Sequence, residues 1–371
     1  MGFPLHFRLG LLLMLLCIGC QSGRQIPVSP SEDLGPPARN LILLIGDGMG
    51  LAQITAAMYS TAEPLALSRF PVTGLHKPYA SNDLITDSAA GATAFSCGVK
   101  TYNGAIGVDR DTLPVTTLLE EAEERGLASG LIATSSITHA TPAAFIAHVK
   151  SRKQMEDIAT FFLETEVDFV LGGGLRYFAE RVRDERNLLE ELKKKGYHVH
   201  TFLEQALADI TLDTSANFAY FTARDQPLPY SQGRTYLPES TRIATTYLQA
   251  RSDKGFFLMV EGSQIDWGGH ANASDYIVSE TLDFDRAVAA ALDFARKQGE
   301  TLVLVTADHE TGGYAINPGS SPDSLITAFT TTDHTATLIP VFAYGPRAEL
   351  FHGIYENTDL HKRMRQALGW D

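Results

Sequence analysis

Cysteine is too scarce to staple this chain: there are 3 in 371 residues, and two of them, Cys17 and Cys20, fall within the first 20 positions. If that leader is removed and Cys20 is modified, Cys97 is the only free thiol, so no internal disulfide forms and stability rests on the core and on bound groups. Basic residues are also in short supply, with 30 Lys and Arg against 44 Asp and Glu and a formal charge of −14. No basic stretch exists to neutralise a run of phosphates, which argues against a nucleic-acid surface. Small anionic substrates stay open, because bound metal ions can reverse the sign of a local field. The glycine run Gly172-Gly173-Gly174 lacks a following Gly-Lys-Ser/Thr and reads as a tight turn. Gly46-Asp47-Gly48-Met49-Gly50 fails the G-x-G-x-x-G spacing, so no dinucleotide site is expected. There is no internal repeat.

What is present begins with a leader. One charge, Arg8, precedes the apolar stretch Leu11-Leu12-Leu13-Met14-Leu15-Leu16, which is short for a bilayer span and has the layout of a secretory signal. Cys17-Ile18-Gly19-Cys20 resembles a bacterial lipobox, with cleavage before Cys20 and lipidation of that residue, although Cys17 is an unusual first box position. Residues 1–19 are read as the signal, and losing them takes the charge from −14 to −15, since Arg8 alone goes. The Pro- and Ser-rich segment 20–39 reads as a tether, and ordered structure is predicted to begin near Asn40.

From 40 to 371 no composition shift demands a boundary, and a hydrophobic fraction of 44% suits a single domain with a sizeable core. Strand-length apolar runs at 41–45, 129–134, 167–171, 256–261, 301–306 and 339–344 alternate with amphipathic stretches at 115–126, 154–166, 187–195, 238–251, 279–298 and 359–368. That alternation predicts an α/β fold, a large, mostly parallel central sheet with helices on both faces. Three of the runs end on acids: Leu41–Ile45 leads into Asp47, Phe256–Val260 into Glu261, and Leu302–Thr306 into Asp308-His309. Open α/β sheets keep their sites outside the carboxyl edge, and Asp, Glu and His together suit divalent cations. Asp266 and His270 are expected across a flexible Gly268-Gly269 corner, and His334 stands just ahead of the last run.

Ser88 precedes the small-residue stretch Ala89-Ala90-Gly91-Ala92, which places its hydroxyl at a helix N-terminus. For an arbitrary serine the bland reading is an N-cap. The same position lets exposed N–H groups and the helix dipole stabilise an anion. A serine hydroxyl needs a base or a metal to become nucleophilic, and no His partner is evident nearby in sequence, so the metal ligands are the expected activator.

These residues carry a resemblance. Ile45-Gly46-Asp47-Gly48-Met49-Gly50, the segment Asp87–Gly104, His139–Ala144, Val260–Asn272, Thr306–Gly313 and His334-Thr335 with Val341–Gly345 resemble, in order, the motifs of the alkaline phosphatases. The resemblance implies a three-layer sandwich and phosphate-monoester hydrolysis with Ser88 as nucleophile through a phosphoseryl intermediate. It implies zinc at Asp266, His270 and His334, a second zinc at Asp47, Asp308 and His309, and magnesium at Asp47, Thr141 and Glu261. Arg152 would clamp two phosphate oxygens, a role its planar fork suits.

Two positions depart from the enterobacterial pattern: His139 stands where that branch has Asp, and Trp267 where it has Lys. His139 leaves the third ion less well supported, and Trp267 removes a cation near the phosphate. Only 24 residues separate His309 from His334, so a reduced crown is expected at about 314–331, which weakens the inference of the family's usual homodimer. A variable helical insertion near the site is expected over about 175–255. The resulting expectation is an exported enzyme of periplasm or cell surface, held to the membrane through Cys20 alone and acting on small phosphate monoesters. A phosphodiesterase of the same superfamily would present Thr as nucleophile and lack the Arg152 clamp, and a sulfatase would need x-Pro-x-Arg after its nucleophile. A non-catalytic phosphate- or metal-binding surface protein would lack the nucleophile or a ligand.

Overall fold

The apolar runs assemble into one sheet. The computed structural model describes residues 34–322 and 324–370 together with Gly2; Cys20 and most of the expected signal and tether lie outside the described residues. The strands are β1 (Asn40–Gly46), β2 (Val72–Lys77), β3 (Ala128–Ser136), β4 (Phe169–Gly173), β5 (Tyr197–Thr201), β6 (Asn217–Phe221), β7 (Phe256–Gly262) and β8 (Thr301–Thr306). Four two-residue strands follow, β9 (Glu310–Thr311), β10 (Ala315–Ile316), β11 (Thr327–Ala328) and β12 (His334–Thr335), then β13 (Ile339–Tyr344) and β14 (Gly353–Glu356). Ten of them form the central sheet in the order β14-β2-β13-β8-β1-β7-β3-β4-β6-β5. All neighbours pair parallel except at β13, which runs against both β8 and β2.

The middle of the sheet is buried on both faces, and β1 shows why its sequence has no polar alternation. Leu41, Leu43 and Ile45 enter one apolar cluster, with Phe95, Leu118, Ile158 and Leu360 from helices on that side. Ile42 and Leu44 enter a second, with Ile54, Leu248, Phe284 and Leu292 from helices on the other. The central strands therefore read as continuous hydrophobic runs, as strands covered on both faces do. The segment expected to be a helical insertion, 175–255, contains helices at Leu175–Ala179, Leu188–Lys194 and Tyr236–Arg251 and also the two strands that complete one flank of the sheet.

Register aligns the site. Ile45 of β1 lies opposite Glu261 of β7 and Thr306 of β8, so Asp47, Glu261 and Asp308 emerge level at one edge. Because β13 is reversed, its amino end is at that same edge, and His334 arrives there from the opposite chain direction.

Candidate active site

Ser88 opens the helix Ser88–Cys97 and is 1% exposed. Asp87, not Ser88, is the N-cap: its Oδ1 accepts the Ala90 N–H at 3.0 Å. The bland role proposed for the serine is thus taken by its neighbour, and the Ser88 hydroxyl is free to face His309, whose Nε2 stands 3.4 Å from Oγ. That approach crosses 221 residues, which is why no His–Ser pairing was visible along the chain.

Asp47, Asp308 and His309 converge, with His309 Nε2 3.5 Å from Asp47 Oδ1 and 3.2 Å from Asp308 Oδ2, and all three side chains fully buried. Neither oxygen of Asp47 accepts a hydrogen bond, and Asp308 Oδ2 is likewise without a donor. Burial pushes the Asp47 carboxyl well above its ordinary range, and the charges of Asp308, Asp266 and Glu261 add to that. Buried, unpartnered carboxylates are costly unless a cation neutralises them.

The second group lies nearer solvent. Asp266 and His270 sit on a helix, Gln264–His270, and not across a flexible corner. Its glycines serve close packing: a Cβ on Gly268 would lie 2.8 Å from the Ile277 nitrogen, and one on Gly269 2.7 Å from Thr311 Cβ. His270 Nε2 is 3.3 Å from Asp266 Oδ2 and 3.2 Å from His334 Nε2, and His334 Nε2 is 3.5 Å from Asp266 Oδ1. Each imidazole is oriented from behind, His270 Nδ1 by the Thr332 carbonyl at 2.6 Å and His334 Nδ1 by the Thr86 carbonyl at 2.7 Å. A backbone carbonyl that takes the Nδ1–H leaves the Nε2 lone pair for an ion, the usual outer support of a metal-binding histidine. Burial alone would raise the Asp266 carboxyl, but His270, His309 and His334 overturn that and hold it well below its ordinary range.

Among the described residues, three sets of acidic and histidine donors have ligand atoms within 4.8 Å of one another: Asp266, His309 and His334; Asp47, Asp308 and His309; and Asp47, His139 and Glu261. The first adds His309 to the Asp266 and His334 that His270 also approaches; His309 stacks on His334 with ring centroids 3.5 Å apart and so borders both groups. The third places His139 beside Asp47 and Glu261, and Thr141, fully buried, faces the Glu261 carboxyl together with Ser135 and Ser263. Arg152 lines the same cavity, its guanidinium paired with Asp87 Oδ2 at 3.1 Å and facing His139 Nε2 at 3.2 Å. Trp267 meets the His139 ring edge-on at 6.2 Å.

Sequence reasoning missed the residues that tie these segments together. Glu310 is 4% exposed and accepts from Gln53 Nε2 at 2.8 Å, from the Tyr314 N–H at 3.0 Å and from the Thr335 hydroxyl. It thereby joins the helix following Asp47, the turn following His309 and the strand that carries His334. Thr311 does similar work, donating to Asp266 Oδ1 and lying 3.2 Å from His309 Nδ1. The sequence signal was their place in the motif Thr306–Gly313, directly after Asp308-His309.

The alkaline phosphatase family model matches residues 38–328 and 323–370 of this chain. The chain belongs to the alkaline phosphatase family. It is 36% identical over 423 aligned residues to alkaline phosphatase 3 of Bacillus subtilis, covering 90% of this chain and 89% of that protein. Among solved structures it is similar to the alkaline phosphatase of the Antarctic bacterium TAB5, with a TM-score of 0.86 and 43% identity over 91% of this chain and 100% of that one. A histidine-to-aspartate variant of that enzyme, with magnesium bound in its M3 site, gives a TM-score of 0.84 and 41% identity over 90% of this chain and 99% of its own. This alkaline phosphatase family member hydrolyses phosphate monoesters. The enzymes of this family hold metal ions, and the unpartnered buried carboxylates at the sheet edge are a donor set that fits them.

Proposed function

We propose that hydrolysis proceeds through a phosphoseryl intermediate on Ser88, with zinc as the ion of the two histidine-containing groups and magnesium at Asp47, Thr141 and Glu261. The observation that carries this reading is the Ser88 hydroxyl, buried, relieved of capping and 3.4 Å from His309 Nε2. When bound, the ions supply Lewis acidity and offset the charge of the transferring phosphoryl group. Ser88 Oγ attacks phosphorus in line, the ester oxygen departs as the alcohol, and water then releases phosphate from the serine. Arg152 holds two equatorial oxygens, with Asp87 fixing its guanidinium before substrate arrives. Asp47 borders the second and third donor sets and serves both.

His139 bears on the third ion. Arginine keeps its protons, so the Nε2 that faces Arg152 must accept, and the ring is the neutral tautomer with hydrogen on Nδ1. Burial, then Arg152, lowers its pKa to about 3, in keeping with a neutral ring. A protonated Nδ1 cannot ligate a cation, so magnesium is held without an imidazole ligand and weakly. Replacing His139 with Asp is expected to raise magnesium occupancy, read by metal analysis, in line with the magnesium bound in the M3 site of the Antarctic variant. The leader points to export, with a lipid on Cys20 as the anchor; incorporation of labelled palmitate that is lost in Cys20→Ala checks it.

An aryl phosphate should give a burst of alcohol stoichiometric with enzyme, abolished in Ser88→Ala. Wild-type turnover by metal-loaded Ser88→Ala would sink the mechanism.

A further inference from the structure

The cavity over Ser88, about 600 Å³, has a rim that the phosphoryl chemistry does not use. Asp83 and Asp333, both exposed, line it, as does the indole of Trp267. Of the other charged or titratable side chains lining it among the described residues, Asp87 is tied to Arg152, His139 is neutral, and Asp266, His270 and His334 form the outer ligand group. Asp83 is fixed by its own turn, its Oδ1 accepting the Ile85 N–H at 2.9 Å. Asp333 is fixed through its main chain, which donates to Thr331 Oγ1 at 3.0 Å and accepts from the Gly312 N–H at 2.9 Å, while its carboxylate stays exposed. The inner cavity therefore grips an anion, and the mouth presents two negative charges and an aromatic ring.

We propose that this rim selects monoesters whose alcohol carries an ammonium group and disfavours those whose alcohol carries a carboxylate. The proposal rests on the Ser88-centred reading of the cavity and concerns only the part of the substrate beyond the phosphoryl group. A cationic alcohol tail meets both carboxylates, and a quaternary one can also lie against the indole. A carboxylate tail meets two like charges at the rim, beyond the Arg152 guanidinium and the ions that hold the phosphoryl group. Exposed charges act weakly and are screened by salt, so a few-fold per aspartate is the scale to expect.

The test measures kcat/KM of the metal-loaded enzyme for phosphoethanolamine, phosphocholine, ethyl phosphate and phosphoglycolate. An ammonium group also makes its alcohol a better leaving group, but neither salt nor a rim substitution alters that. The decisive quantity is thus the change in the phosphoethanolamine-to-ethyl phosphate ratio. It is expected to fall about 5-fold in the double variant Asp83→Asn/Asp333→Asn, by a smaller factor in Asp83→Asn alone, and likewise in the wild type at high salt, with the change appearing in KM. The phosphoglycolate-to-ethyl phosphate ratio should rise under the same changes. Ratios that stay constant across variants and salt overturn the proposal. Failure of the wild type to hydrolyse ethyl phosphate at all overturns the underlying reading and the proposal with it.

Discussion

The inner group, Asp47, Asp308 and His309, and the outer group, Asp266, His270 and His334, are built differently. Asp47, Asp308 and His309 are sealed from solvent and have carboxylate oxygens without donors, whereas Asp266 pairs with imidazoles and the side chain of His270 is 41% exposed. The inner group is unstable without a cation. The outer group already satisfies itself, since a carboxylate between imidazoles can hold protons where the enzyme holds metal. An inner ion should therefore act as part of the fold, and an outer ion as an exchangeable part of the catalyst.

The sharpest break in that contrast is Asp47→Asn. It should lower kcat/KM by about 1000-fold or more, because two donor sets lose a shared ligand, and yet raise the melting temperature of chelator-treated protein by removing a buried carboxyl that no donor satisfies and that its acidic neighbours repel. A metal-free variant less stable than metal-free wild type would contradict the account. Next comes Glu310→Gln, which keeps the shape but weakens the tie between both groups. Metal affinity is expected to fall about 10- to 100-fold at both, the range found when outer supports of metal ligands are lost, with far-UV circular dichroism retained. Titration with a competing chelator reads it, and loss confined to one group would show that the two are not mechanically joined. Trp267→Lys adds a cation beside the outer group and should tighten inhibition by phosphate about 10-fold; an unchanged inhibition constant would defeat the idea.

The smallest effect lies outside both groups. Burial lowers the Lys100 ammonium to about 8 from its ordinary 10.5, although Glu356 opposes the shift. Between those values the unfolded chain binds more protons than the folded one, so this residue makes stability rise with pH across that window. Lys100→Met should flatten that part of the melting temperature profile while leaving the response to chelator intact.

Much of this was legible along the chain for a physical reason. Strands covered on both faces print as continuous apolar runs, and ligands at a carboxyl edge follow those runs directly, as Asp47, Glu261 and Asp308 do. The strand β2, next to the edge and with Gly74 and His76 in its middle, offers no such run, and β5 and β6 are only five residues each. The helix Gln264–His270 was misread because two glycines are poor helix formers, and only the packing of Gly268 against Ile277 and Gly269 against Thr311 explains them. Glu310 escaped because its partners lie in three segments, from Gln53 to Thr335, which become neighbours only in the folded sheet.

The reversed strand β13 has a consequence for how the molecule is made. It is the sole bridge between β8 and the pair β2 and β14, so residues synthesised early in β2 have no place in the sheet until the chain has reached position 344. His334 lies just before that strand and so enters the site at the same late moment. A nascent chain can gather Asp47 and Asp308 first, but it completes the outer group only when His334 and β13 have docked, so metal capture there reports that the bridge across the sheet has formed.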